Sequence, residues 1–214
     1  MPLSHNPILK AAGFPALPKT MSVPRHAKIG ATPTLSIPKA NATISIQYYD
    51  YLRRNSSVRT PLFEEVYKTF YLRNTHLKGW TSADYSNYFS YMFSFAPTGP
   101  YENDVDLVAK HLQGVLTKGS YELSFSSKLV HTKDNSCPIF DNMVIKYLKE
   151  FEGLILSTTA SHIAKYKALC NWYDNFIKRD PRYKSWIGWF DITFPSYIGI
   201  DPVKKIDFIL FFGA

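Results

Sequence analysis

Lys128 and Asp141 stand thirteen residues apart within SFSSKLVHTKDNSCPIFDNMVIKYL, the stretch from Ser124 to Leu148. Together they suggest chemistry at a sugar carbon. A lysine amine can attack such a carbon and form a Schiff base if its surroundings lower its pKa, while a nearby carboxylate manages charge and protons. Phe125 and Leu129 share a face of the helix expected around Ser124 to His131, and Lys128 borders that face. Two readings follow. The amine emerges beside apolar surface, where partial desolvation favours its neutral, nucleophilic form, or the stem lies along the core while the charge reaches water. Asp141 follows Pro138, Ile139 and Phe140 and precedes an apolar-periodic run, so its default role is N-cap. Capping is compatible with catalysis. Helix amides fix the carboxylate in direction and keep it ionised, as stabilisation of an oxocarbenium-like sugar requires.

The elements that must hold these two residues read as helices. Ile44 to Leu52, followed by Arg53 and Arg54, has helical spacing, and Pro61 opens a helix containing Phe63, Val66 and Phe70. Thr81 or Ser82 caps the next, in which Tyr85, Tyr88, Phe89, Met92 and Phe93 form a stripe suited to core packing. Further helices are predicted over 102–116, from Ser124, over 141–151, over 157–178, over 183–190 and over 202–212. No period-two alternation or internal repeat occurs, so the fold class is expected to be all-α. Residues 1–40 hold seven of the fourteen prolines, five basic residues and no acidic one. They are read as an extended basic arm, followed by one helical domain over 41–214.

Lysine and arginine number 25 against 17 acidic residues, a net charge of +8, which suits a polyanionic partner such as nucleic acid. Cys137 and Cys170 form no CxxC pair and have no histidines at zinc-ligand spacing, so neither a disulfide framework nor a metal is expected. No apolar run approaches the roughly 18 residues that span a bilayer. An intracellular monomer without cofactor is the resulting expectation. Lys133, Lys204 and Lys205 are phosphate-contact candidates by charge, with Arg53, Arg54 and Lys118 as further contributors. His131 has two readings, as a hydrogen-bonding partner of a phosphate or of Asp141, and as a packed residue. Phe208, Phe211 and Phe212 recur at helical spacing and mostly imply core.

The pattern S-x-K followed by P-I-F-D-x-x-V resembles the catalytic core of the helix-hairpin-helix DNA glycosylases. The nearest likeness is to the 8-oxoguanine DNA glycosylase branch and its small bacterial members. SSKLVH matches the first part and CPIFDNMV the second, while WFDITFP and PVKKIDFILFFG look similar to C-terminal helices of the small members. The likeness covers roughly residues 120 to 212. It implies a helical glycosylase fold in which Lys128 displaces a modified base of duplex DNA and forms the Schiff base. Asp141 would stabilise the transition state, and abasic-site lyase activity would follow from the same intermediate. It also implies that a residue of the last helix, Phe208 or Phe212, stacks on the extruded base. Where the family hairpin has a glycine-rich, phosphate-binding turn, this chain has Leu123, Ser124, Phe125 and Ser126. Hydroxyls of Ser124, Ser126 and Ser127, with the helix N-terminal amides, would serve instead. The alternatives are a noncatalytic helical DNA-binding module of the same fold and a protein-interaction factor using the aromatic surface.

Overall fold

The computed structural model describes residues 6–18, 28–72 and 79–213. In chain order its helices are α1 (Pro7–Ala11), α2 (Lys39–Arg54), α3 (Pro61–Tyr71), α4 (Ser82–Ser94) and α5 (Tyr101–Val115). They continue with α6 (Leu123–Lys133), α7 (Asn142–Phe151), α8 (His162–Arg179), α9 (Arg182–Thr193) and α10 (Pro202–Phe212). The protein is all-α. No strand occurs among the described residues, where a lone β-bridge joins Leu35 to Gly213.

Local chemistry sets most boundaries. Thr60 accepts the Phe63 amide while Pro61 supplies a preset φ at the first position of α3. Asp201 and Pro202 do the same for α10. Thr81 and Asp84 exchange hydrogen bonds in a reciprocal capping box at the start of α4. The helix predicted from Ser157 begins later, at His162, because the Ser161 hydroxyl accepts the Ala164 amide there. The aromatic stripe of α4 is core, as its spacing suggests: Tyr88, Phe89 and Met92 are fully buried, Tyr88 and Phe89 packing on Tyr67 and Tyr88 also on Trp80.

The proline-rich arm departs from expectation in one respect. Proline density does not exclude helix here, because Pro7 occupies the opening position of α1 and the Asn6 side chain caps it. The described part of the arm is packed onto the domain. Leu9 and Phe14 are buried against α2 and α3, and the Tyr48 hydroxyl donates to Pro15 O. Residues 28–37 then cross α7, α9 and the end of α10. The Tyr147 hydroxyl accepts the Ile29 amide at 2.7 Å, Trp186 Nε1 donates to Gly30 O at 2.8 Å, and the Ser36 amide donates to Phe212 O at 2.7 Å. Arg182 joins this strap to the fold, donating to both oxygens of Glu152, to Asp180 and to Ile29 O. At Gly213, which caps α10, an added Cβ would come within 2.5 Å of Ile209 O in the last turn of the same helix, so this helix end requires glycine. Arm residues 1–5 and 19–27 lie outside the described set.

Asp84 ties α4 to the connection between α5 and α6. Its carboxylate accepts the amides and hydroxyls of both Thr81 and Thr117 at 2.7–2.9 Å. Burial alone would raise its pKa; these bonds outweigh burial and hold it at about 2, below the ordinary 3.8. A carboxyl depressed by folding contributes stability that is complete above its unfolded pKa and disappears as pH falls toward its folded one. Thermal denaturation should therefore show a loss of Tm between about pH 4 and pH 2 that Asp84→Asn flattens, with the variant already less stable at pH 5. Parallel acid limbs in the two proteins would refute this role.

Candidate active site

Lys128 is positioned by the hairpin that α5 and α6 form. These helices make the most extensive interhelical contact among the described elements, joined by a turn in which Gly119 takes φ +51° and donates its amide to Leu116 O. Leu123, Phe125, Leu129 and Val130 bury one side of α6. Lys128, at the border of that side, is half-buried beside the rings of Phe125 and Tyr71, with its Nζ 5.6 and 5.9 Å from their centroids. The amine donates to Tyr71 O at 3.3 Å. That carbonyl belongs to the last turn of α3, where no intrahelical amide is available to it.

Asp141 is positioned by a loop that is almost wholly tied down. The hydroxyl of Ser127, the residue before Lys128, accepts the Phe140 amide at 2.9 Å. His131 Nδ1 contacts Cys137 O at 2.6 Å, and the Tyr166 hydroxyl donates to Pro138 O at 2.8 Å. Asp134 accepts the amide and hydroxyl of Ser136, whose hydroxyl also meets Tyr101. A carbonyl accepts only, so neutral His131 carries its proton on Nδ1, while Nε2 lies 3.1 Å from the Tyr49 hydroxyl, which itself donates to Asn135 Oδ1. Burial, reinforced by the positive charge of Lys204, lowers the His131 pKa to about 3 and keeps the ring neutral. The loop delivers Asp141 to the start of α7, where Oδ1 accepts the Met143 amide at 2.9 Å. Its other carboxylate oxygen has no hydrogen-bond partner among the described residues.

Lys128 and Asp141 line one pocket. Phe70 and Tyr71 from α3, Ile139, Val144 of α7, and Lys204, Asp207, Phe208, Phe211 and Phe212 of α10 complete it. The cavity measures about 80 Å³. Sites that engulf a small ligand usually occupy roughly 300–1,000 Å³, so a planar ring can enter only if a wall side chain moves. Phe70 and Phe211 are the half-buried members of the aromatic wall and have the room to do so. Opposite the hairpin, Lys204 and Asp207 form an ion pair at 3.4 Å, both buried. Desolvation lowers the Lys204 pKa and raises that of Asp207, each opposed by the partner's charge. Tyr173 donates to Asp207 Oδ1.

The structure brings Lys128, Asp141, Lys204, Phe208 and Phe212 together and removes others from any phosphate-facing surface. Ser126 and Ser127 are buried because their hydroxyls turn back onto the carbonyls of Glu122 and Ser124. Ser124 is half-buried. His131 is buried in the loop network, its two ring nitrogens facing Cys137 O and the Tyr49 hydroxyl and not Asp141. Lys205 is buried between α9 and α10, donating to Asp191 and to Ile198 O, and Lys204 faces the pocket instead of solvent. Lys133 is half-buried over the Phe93 ring, its pKa lowered by desolvation. Arg53 and Arg54 pair with Asp50, and Lys118 is exposed. Tyr71 and Asp207 were not anticipated. Asp207 had a signal: a lone carboxylate three residues after a lysine inside the otherwise apolar VKKIDFILFF.

Compared with known proteins, the chain matches no family model, no curated protein and no solved structure. Among the described residues, no cluster of three or more His, Cys, Asp or Glu could hold a metal, and no helix is long and apolar enough to cross a membrane.

Ser127→Ala should strand the Phe140 amide without an acceptor and cost about 1–3 kcal/mol in urea denaturation. Hydrogen exchange at Phe140 and the first turn of α7 should accelerate while the α4 amides are unchanged. A loss below about 0.5 kcal/mol would show that the latch does not hold the loop.

Proposed function

We propose that this chain is a DNA glycosylase that works through a Lys128 Schiff base. The observation that carries the proposal is that Lys128 and Asp141 line one aromatic-walled pocket. The likeness of SSKLVH and CPIFDNMV to the glycosylase core points the same way, as does the basic net charge.

The reaction takes a modified base, with an 8-oxoguanine-like purine as the first candidate, rotated out of the duplex. The Lys128 nitrogen bonds to the sugar carbon as the bond from that carbon to the base breaks, and the departing base accepts a proton. In this reading the negative charge of Asp141 stabilises the positive charge developing on the sugar. Ring opening then yields a Schiff base, which water hydrolyses or which loses the 3′ phosphate by elimination. Lys128 also needs a neutral amine at the moment of attack. The partner is double-stranded DNA and the working unit a monomer.

Lys128→Gln and Asp141→Asn separate this reading from a noncatalytic DNA-binding module. Lys128→Gln should abolish borohydride-trapped adducts with base-damaged or abasic duplexes and retain duplex binding. Asp141→Asn should lower excision about 10²–10⁴-fold, also with binding retained. Unchanged trapping by Lys128→Gln, or only a small uniform loss of affinity and no chemistry in the parent protein, would overturn the proposal.

A further inference from the structure

Every buried tyrosine among the described residues has a hydrogen-bond partner for its hydroxyl except Tyr71, and Tyr71 lines the pocket. Its neighbours show the contrast. Tyr67 bonds to Tyr88, Tyr49 donates to Asn135, and Tyr173 donates to Asp207. Leaving a buried donor unpaired is costly, and such an exception calls for an explanation. A ligand atom in the pocket would supply the missing acceptor.

Tyr71 is also bound to the residue that would do the chemistry. Its main-chain carbonyl accepts the Lys128 amine at 3.3 Å, and that nitrogen lies 5.9 Å from the centroid of its ring. On the other side Lys204 Nζ stands 5.6 Å from the same centroid. Two lysines of the pocket thus share one phenol ring. Burial first, then the nearby phenols of Tyr49 and Tyr67 and the carboxylates of Asp207 and Asp141, push the Tyr71 pKa up. The hydroxyl therefore keeps its proton and can act as a neutral donor.

A donor of this kind answers a need of the proposed reaction. The sugar carbon that Lys128 attacks must lose two bonds before a Schiff base exists, one to the base and one to the ring oxygen. The base departs with the first. Breaking the second would leave an alkoxide unless an acid protonates the oxygen, and an ionised Asp141 has no proton to give. Lys204 is engaged with Asp207.

We propose that Tyr71 is the acid that opens the sugar, its hydroxyl donating to the ring oxygen of the Lys128-bound sugar as the bond from that oxygen to the sugar carbon breaks. The lone pair of the Lys128 nitrogen becomes the second carbon–nitrogen bond. The electron pair of the broken bond stays on oxygen, which the phenolic proton converts to a hydroxyl. A protonated Schiff base and a phenolate arise together from two neutral groups, so the net charge of the pocket does not change. Two positive groups, the Schiff-base nitrogen of Lys128 and the Lys204 ammonium, then flank the ring that has become negative. Hydrolysis of the Schiff base by water releases the aldehyde, the neutral Lys128 amine and one proton, which returns to the phenolate. The inference rests on the glycosylase reading and adds to it a catalytic residue on α3.

Tyr71→Phe removes the hydroxyl alone, and its Tm should equal or exceed the parent's because the lost group has no partner. The test is the rate of borohydride trapping on two duplexes. One carries an ordinary abasic deoxyribose, which is mostly ring-closed, and the other an acyclic aldehyde at the same position, which has no ring bond to break. The parent should form an adduct with both. Tyr71→Phe should trap the cyclic sugar about 10²-fold more slowly, as loss of a positioned acid predicts, and the acyclic aldehyde at the parent's rate. On a duplex whose base the parent excises, single-turnover base release by the variant should match the parent while the trapped adduct lags behind. Trapping of the cyclic sugar at the parent's rate would overturn the inference. Equal slowing on both duplexes, with a lowered Tm, would mark the hydroxyl as structural and overturn it too. Both results leave the glycosylase reading intact, since the parent still forms its adduct. Absence of any adduct between the parent and either duplex would sink that reading and this inference together.

Discussion

The hydrogen bond from the Phe140 amide to the Ser127 hydroxyl ties the helix that carries Lys128 to the loop that carries Asp141. Ser127 and Lys128 are neighbours on α6, and Phe140 and Asp141 are neighbours in the loop, so one 2.9 Å contact places the amine and the carboxylate in a common frame. Loops usually run over the surface, where water satisfies their backbone. The 134–141 loop runs inside and replaces water with side chains: His131 for Cys137, Tyr166 for Pro138, Ser127 for Phe140. Each such bond removes a freedom that would otherwise blur the position of Asp141. Second-sphere groups of this kind are what hold a reacting pair in place.

The pocket opposite that loop depends on α10, and α10 in turn depends on the arm. Lys204, Asp207, Phe208 and Phe211 fall at i, i+3, i+4 and i+7 and so share the face turned to the cavity. The end of this helix is held by Ser36, whose amide and hydroxyl both donate to Phe212 O, and by the bridge from Leu35 to Gly213. The segment read from its composition as an extended basic arm is thus part of the support for the cavity wall. The cavity of about 80 Å³ is walled largely by aromatic rings.

Much of the fold was readable in the sequence where the signal was local. Pro61, Thr81, Asp141 and Pro202 announced helix starts because capping chemistry acts within three or four residues. Lys128 and Asp141 were readable as a pair, and the structure places them on one pocket. What failed was tertiary. Lys204 and Lys205 were assigned to the surface because charge is normally solvated; their counter-charges, Asp207 and Asp191, and their aromatic surroundings are supplied by the packing of α9 and α10 around them. Ser126 and Ser127 were read as phosphate ligands from their position before the lysine, whereas their hydroxyls are consumed by backbone partners. The contribution of Tyr71 could not be read at all, since it requires the end of α3 to meet the middle of α6.

Peptide mapping of the borohydride-reduced adduct between the full chain and an abasic duplex tests the central claim most directly. If the Ser127–Phe140 latch assembles a Schiff-base site, the sugar remnant should be attached to Lys128 alone. Attachment to Lys204, to a lysine of the arm, or to many surface lysines without preference would contradict the assignment of Lys128 as nucleophile.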